Sequence, residues 1–122
     1  MVCVSINDEV IHGIPSKNTI IKDGDIVSID LVVLKNGFHG DAARTFMVGN
    51  VSDEAKRLVE VTKQAFFEAI KFAKKGYRIG DISNAVYSYV RKYGYSVVRE
   101  FQGHGIGRQM HEDPGIPNYG TP

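Results

Sequence analysis

The stretch Asp25-Ile-Val-Ser-Ile-Asp30-Leu-Val-Val-Leu-Lys35-Asn-Gly-Phe-His-Gly-Asp41 decides the fold of this chain. Asn36-Gly37 between apolar runs is the strongest short-range signal for a β-hairpin. A two-residue turn pairs Lys35 with Phe38, Val32 with Asp41 and Asp30 with Ala43. Side chains alternate with period two, so Asp30 and Asp41 fall on one face as diagonal neighbours, roughly 7–8 Å apart at the backbone. The apolar run reads as a buried strand, where an ionised carboxylate is costly without a compensating charge. Two converging carboxylates repel each other, which calls for a shared proton or a bound cation. The alternative is that each aspartate caps a loop or pairs with Arg44 or a lysine. A three-residue loop, or one bulge between the aspartates, would put them on opposite faces.

Upstream of the hairpin, Val2–Ile6 alternates like a strand, and Glu9–His12 resumes extended structure after an Asn7-Asp8 turn signal. Gly13-Ile-Pro15 breaks it, and a polar loop runs to Gly24. Downstream, Ser52 reads as an N-cap with first-turn acids Asp53 and Glu54. Apolar residues from Ala55 to Ala73 keep helical spacing until Gly76 stops the run. A second helix begins near Asp81 and ends at Gly94, and Tyr95–Phe101 returns to strand character. Beyond Gln102 the chain is rich in glycine and histidine, then in proline. The order predicts an α+β fold, a mostly antiparallel sheet packed against two α-helices.

With 122 residues and 43% apolar content, the chain suits one domain over residues 1–122. A formal charge of +1 gives no global attraction to nucleic acid or to a membrane, so neither is expected as a partner. Lys71, Lys74 and Lys75 read as a solvated helix end matched to the macrodipole. The single cysteine, Cys3, excludes an internal disulfide and fits a reducing compartment; in its apolar run it reads as a small hydrophobe. No bilayer-spanning run or signal-peptide pattern is present, and the cytoplasm is the default location. Gly120-Thr-Pro122 stops in what reads as mid-loop, so the chain is expected to be a piece of something longer.

His104 lies between glycines in Gly103-His-Gly-Ile-Gly107, directly after the expected strand, where flanking glycines let the backbone approach closely. His111 follows seven residues later, His12 ends the expected second strand, and His39 shares the face of Asp41. A lone histidine is usually structural. Four beside strand ends, with two acids in apolar surroundings, point to a metal site. An Asp, Asp, His set suits Mn, Fe, Co or Zn at borderline hardness and is unlike a closed structural zinc site.

Four strings now stand in order: Val10-Ile-His-Gly-Ile-Pro15, Gly24-Asp-Ile-Val-Ser-Ile-Asp30, Gly37-Phe-His-Gly-Asp41 and Phe101-Gln-Gly-His-Gly-Ile-Gly-Arg-Gln-Met-His111. Together they resemble type I methionine aminopeptidase, over essentially the whole chain. The resemblance implies the pita-bread fold of the M24 metallopeptidases, two pseudo-symmetric halves enclosing two divalent ions (Co, Mn, Fe or Zn). It implies that Asp30, Asp41 and His104 are metal ligands, and that His12 and His111 contact the substrate and the tetrahedral intermediate. Cys3 and Met110 match the methionine side-chain pocket, with Met110 where the pattern often has an aromatic. His39 belongs to the string as a supporting residue, not a ligand. The implied reaction is removal of N-terminal methionine from peptides or nascent chains by a metal-activated hydroxide.

The family site also uses two glutamates that the resemblance places beyond Pro122, and Glu112 matches neither. The chain is therefore expected to be an incomplete catalytic-domain fragment, roughly the first half of such an enzyme plus the strand bearing its first histidine ligand. Weak or no metal occupancy, raised proton affinity at the aspartates and no activity of its own are the expectations. An exposed sheet edge predicts dimerisation or strand exchange. Two other readings compete: an X-Pro-cleaving or metal-free relative, and a noncatalytic module that keeps the shell of the fold.

Overall fold

Asn36 (φ 53°) and Gly37 (φ 78°) both occupy the left-handed region in a computed structural model that describes residues 1–122. That is the geometry of a type I′ turn, whose twist matches the strands it joins. Three strands form an antiparallel sheet in the order β1 (Val2–Ile6), β2 (Ile26–Lys35) and β3 (Phe38–Met47). Lys35 pairs with Phe38, Val32 with Asp41 and Asp30 with Ala43, the register the turn demands. β1 adds Cys3 opposite Asp30 and Ser5 opposite Ser28. By contacts, the chain divides into two compact units: Met1–Arg57 with Ile106–Met110, and Leu58–Gly105 with His111–Pro122.

In the first unit, residues opposite one another share a face. One face carries Cys3, Asp30 and Ala43, then Val32 and Asp41, then Leu34 and His39. The other carries Val4, Ile29 and Arg44 beside Ile6, Val27 and Phe46, of which Val27 is buried. β2 is less buried than its apolar run suggests: Ile29, Leu31, Val33 and Leu34 are all exposed. The expected strand at Glu9–His12 does not form. Asn7 (φ 55°) and His12 (φ 61°) turn the backbone into the left-handed region, and Gly13 docks on the outer edge of β1 instead.

Helix α1 (Asp53–Ile70) starts where the capping signal places it, with Ala55 N donating to Ser52 Oγ at 3.2 Å. It ends a turn before Ala73. Phe72 N and Ala73 N donate to carbonyls three residues back, and the Phe72 ring meets Tyr77 edge-to-face at 5.1 Å, folding the chain away from the helix axis. Helix α2 (Ile79–Lys92) begins two residues before Asp81, whose carboxylate accepts from Arg78 N at 2.7 Å as the third helical residue. It closes in a Schellman arrangement: Gly94 N donates to Arg91 O and Tyr95 N to Val90 O.

The core of the second unit is Val61 and Ala65 of α1 against Val90 of α2, flanked by Val86, Tyr89, Tyr95 and Val97. Tyr95 and Val97 pack on this core, and Tyr95–Phe101 does not pair as a strand. Pairing starts one residue later: β4 (Gln102–Gly105) lies antiparallel to β5 (Glu112–Pro117). Both helices and two antiparallel sheets give the α+β class expected from the sequence. No helix is long and apolar enough to cross a membrane.

Candidate metal and substrate site

Hairpin parity places the two aspartates. Asp30 and Asp41 sit one alternation apart on the same face of the β2–β3 ladder, with no bulge between them. Their surroundings differ. Asp30 is half-buried, its Oδ1 sealed from solvent, whereas Asp41 is exposed on a strand that is open along most of its length. The expectation of one buried spot for both carboxylates thus holds only for Asp30. β3 is an outer strand with no third strand to cover it.

Cys3 is half-buried directly opposite Asp30, so a pocket candidate and a ligand candidate are nearest neighbours across β1 and β2. His39 faces Leu34 on the same side, half-buried, with Nδ1 sealed from solvent and without a hydrogen-bond partner. Its backbone N donates to Gly107 O at 2.7 Å, and Arg108 lies 4.8 Å from the Phe38 ring centre. These two contacts fasten Ile106–Met110, and with it Met110, along the outer edge of β3. His12 is exposed and stands in the left-handed region immediately before the buried Gly13. The sequence carried a signal for His12 but none for Ser5, a buried hydroxyl on β1 that accepts from Gly13 N at 3.0 Å.

In the second unit, His104 lies within β4, opposite Gly115, not after a strand as the sequence suggested. A bulge separates His104 from Gly105, whose partner is Glu112. His104 Nδ1 donates to Gly105 O at 2.8 Å. A carbonyl only accepts, so Nδ1 is the donor, and in a neutral imidazole of that tautomer Nε2 is the nitrogen able to ligate. The His104 and His111 rings are 4.2 Å apart between centres, inclined at 57°. Pairing of β4 with β5 thus brings together two histidines seven positions apart in sequence.

Carboxylate and imidazole are donor types that suit a borderline divalent ion, so the residue types fit the metal the resemblance implies. Neither unit by itself gathers three His, Cys, Asp or Glu side chains into a ligand cluster.

The profile of metallopeptidase family M24 matches residues 1–122. The chain is 54% identical over 121 residues to a methionine aminopeptidase of Clostridium acetobutylicum, covering 99% of this chain and 48% of that protein. The crystal structure of methionine aminopeptidase from Thermotoga maritima superimposes with a TM-score of 0.96 at 49% identity, over 99% of this chain and 49% of that one. A prolidase from Pyrococcus furiosus shares the fold at a TM-score of 0.86 but only 28% identity, over 99% of this chain and 36% of the prolidase. The chain spans about half the length of the curated relatives it matches. With the family profile matched from the first residue to the last, this chain belongs to metallopeptidase family M24.

Proposed function

We propose that the polypeptide containing this chain removes N-terminal methionine from peptides and nascent chains in the cytoplasm, using divalent ions of the Co, Mn, Fe or Zn group. The observation that carries the reading is the register of the Asn36-Gly37 hairpin, which sets Asp30 and Asp41 on one face as diagonal neighbours. Identity near one half to methionine aminopeptidases, against 28% to a prolidase, favours methionine over X-Pro bonds.

Asp30, Asp41 and the Nε2 of His104 would hold metal. When bound, such ions supply Lewis acidity that makes water a nucleophile near neutral pH. The chain's other residues bind and orient. His12 and His111 would hydrogen-bond the scissile amide and the oxygen on which charge develops, while water adds to the carbonyl carbon and the C–N bond breaks. Cys3 and Met110 would contribute apolar wall to a pocket for the flexible thioether. Three ligands are fewer than the five the family pattern implies. We therefore propose that the 122 residues alone bind metal weakly and do not turn over.

The test is release of free methionine from Met-Ala-Ser, against cleavage of Ala-Pro, by the full-length polypeptide with Mn or Co. Methionine release that Asp41→Asn abolishes supports the reading. Preferential cleavage of Ala-Pro transfers the chain to the prolidase-like branch. Turnover of Met-Ala-Ser by the 122 residues alone overturns the proposal that they are inactive.

A further inference from the structure

Resting on the methionine aminopeptidase reading, we infer that Ser5 is a positioning residue for His12, acting through the peptide unit that joins His12 to Gly13. The N–H of that peptide unit belongs to Gly13 and donates to Ser5 Oγ at 3.0 Å. On the other side of the same residue, Gly13 O accepts from Val4 N at 2.9 Å. One bond fixes the plane entering Gly13 and the other the plane leaving it. The first sets ψ of His12 directly.

His12 needs such a constraint. Its φ of 61° lies in a region that residues with a Cβ avoid, and such conformations persist where their surroundings over-determine them. Ser5 is 4% exposed, and Gly13 is buried against β1 so closely that a Cβ there would lie 2.1 Å from Val4 O. Removing the hydroxyl takes away the side-chain acceptor of a buried N–H.

The commitment of Ser5 is specific within its row. Ser28 and Thr45, on the same face of the sheet, hydrogen-bond each other at 2.8 Å, while the Ser5 hydroxyl is the one turned to the His12–Gly13 loop. A histidine that hydrogen-bonds a developing oxyanion must be held to about 0.5 Å. Without the bond to Ser5, nothing on that side fixes ψ of His12, and the backbone that carries the imidazole is free to leave its left-handed conformation.

The test has a structural arm and a kinetic arm. In the 122-residue chain, Ser5→Ala is expected to speed exchange of the Gly13 amide about tenfold to a hundredfold. The Val61 and Ala65 amides should keep their rates, and Ser28→Ala should leave Gly13 unchanged. If Ser5→Ala does not fold, Ser5→Cys keeps the side-chain size with only a weak acceptor and carries the same expectations. In the full-length peptidase, Ser5→Ala is expected to lower kcat about tenfold to a hundredfold with KM within about twofold, and to have little further effect once His12→Ala is present. An unchanged Gly13 amide overturns the proposal whatever the peptidase does. Additive losses in the double variant overturn it too. Loss of Gly13 protection in a protein whose wild type releases no methionine keeps the tie between Ser5 and Gly13 and removes the methionine aminopeptidase reading instead.

Discussion

Cys3 lies directly opposite Asp30 in the β1–β2 register, so a thiol and a carboxylate project from the same face of neighbouring strands. Directly opposed residues have Cβ atoms about 4.5–5.5 Å apart. An anion approaching the Cys3 sulfur therefore meets the Asp30 carboxylate. At pH 8, iodoacetate is expected to alkylate Cys3 more slowly than neutral iodoacetamide. The discrimination should exceed that of a free cysteine peptide by about fivefold, the effect of roughly 1 kcal/mol of like-charge repulsion. Asp30→Asn should return the ratio to the peptide value. Mass spectrometry of the single cysteine reads both rates, and an unchanged ratio in Asp30→Asn would show that the carboxylate does not face the thiol.

The same carboxylate, with Asp41, should couple metal to stability. A ligand that binds only the folded state at ten times its dissociation constant adds about 1.4 kcal/mol. For a polypeptide of about 150–250 residues that is a rise of about 3–6 °C in melting temperature. Manganese at rising concentration is expected to shift the melt of the full-length polypeptide by this amount. Asp41→Asn should abolish the shift while leaving the metal-free melt equal or higher, because one of two like charges on the face has gone. A metal response that survives Asp41→Asn would exclude that carboxylate from the ligand set.

The hairpin turn sets the parity on which this pairing depends. A Cβ on Gly37 would meet nothing within 4 Å, so the whole cost of Gly37→Ala is the strain of holding φ near 78°. Urea unfolding is expected to show a loss of about 1–2 kcal/mol with an unchanged slope. Inserting one glycine after Asn36 is the sharper experiment. Where the turn keeps two residues, the insertion shifts the pairing by one, carries Asp41 to the face of Ile29 and should remove the manganese response while the sheet still forms.

These elements differ in how much of them the sequence could disclose. The β2–β3 register was legible because a two-residue Asn-Gly turn leaves no freedom in pairing, and α2 because its stripe and Gly94 are local signals. The path of Glu9–His12 was not. Its apolar residues look like a strand, but a buried serine and a glycine at the edge of β1 take the backbone hydrogen bonds that a strand would have used. β5 was missed because Glu112–Pro117 contains two prolines and a glycine, and pairs through whatever backbone groups they leave. The end of α1 was misplaced because contact between Phe72 and Tyr77 outweighs a helical pattern that continues to Ala73. At the site, ligand types and strand contexts were readable in one dimension. The exposure of Asp41 was not, because it depends on β3 being an outer strand.

Acid stability should depend on Asp25, which ties the turn after β1 to the start of β2. Its Oδ1 accepts from Asn7 Nδ2 at 2.9 Å and its Oδ2 from Lys22 N at 2.8 Å. The Asn7 bond first, then the Lys22 backbone bond, hold the Asp25 carboxyl below its ordinary value. A carboxylate with a depressed folded-state pKa stabilises fully above the unfolded value, about 3.9, and loses that contribution as pH falls through the lower folded value. Stability should therefore drop on acidification below about pH 4 as this group protonates. Asn7→Gly is the variant of choice, since glycine accepts φ of 55° and removes only the side chain. It is expected to raise the Asp25 pKa toward the ordinary value, read from the carboxyl carbon shift, and to flatten the acid limb of urea midpoints measured between pH 6 and pH 3. An Asp25 titration that does not move in Asn7→Gly would mean that the Lys22 amide alone sets it.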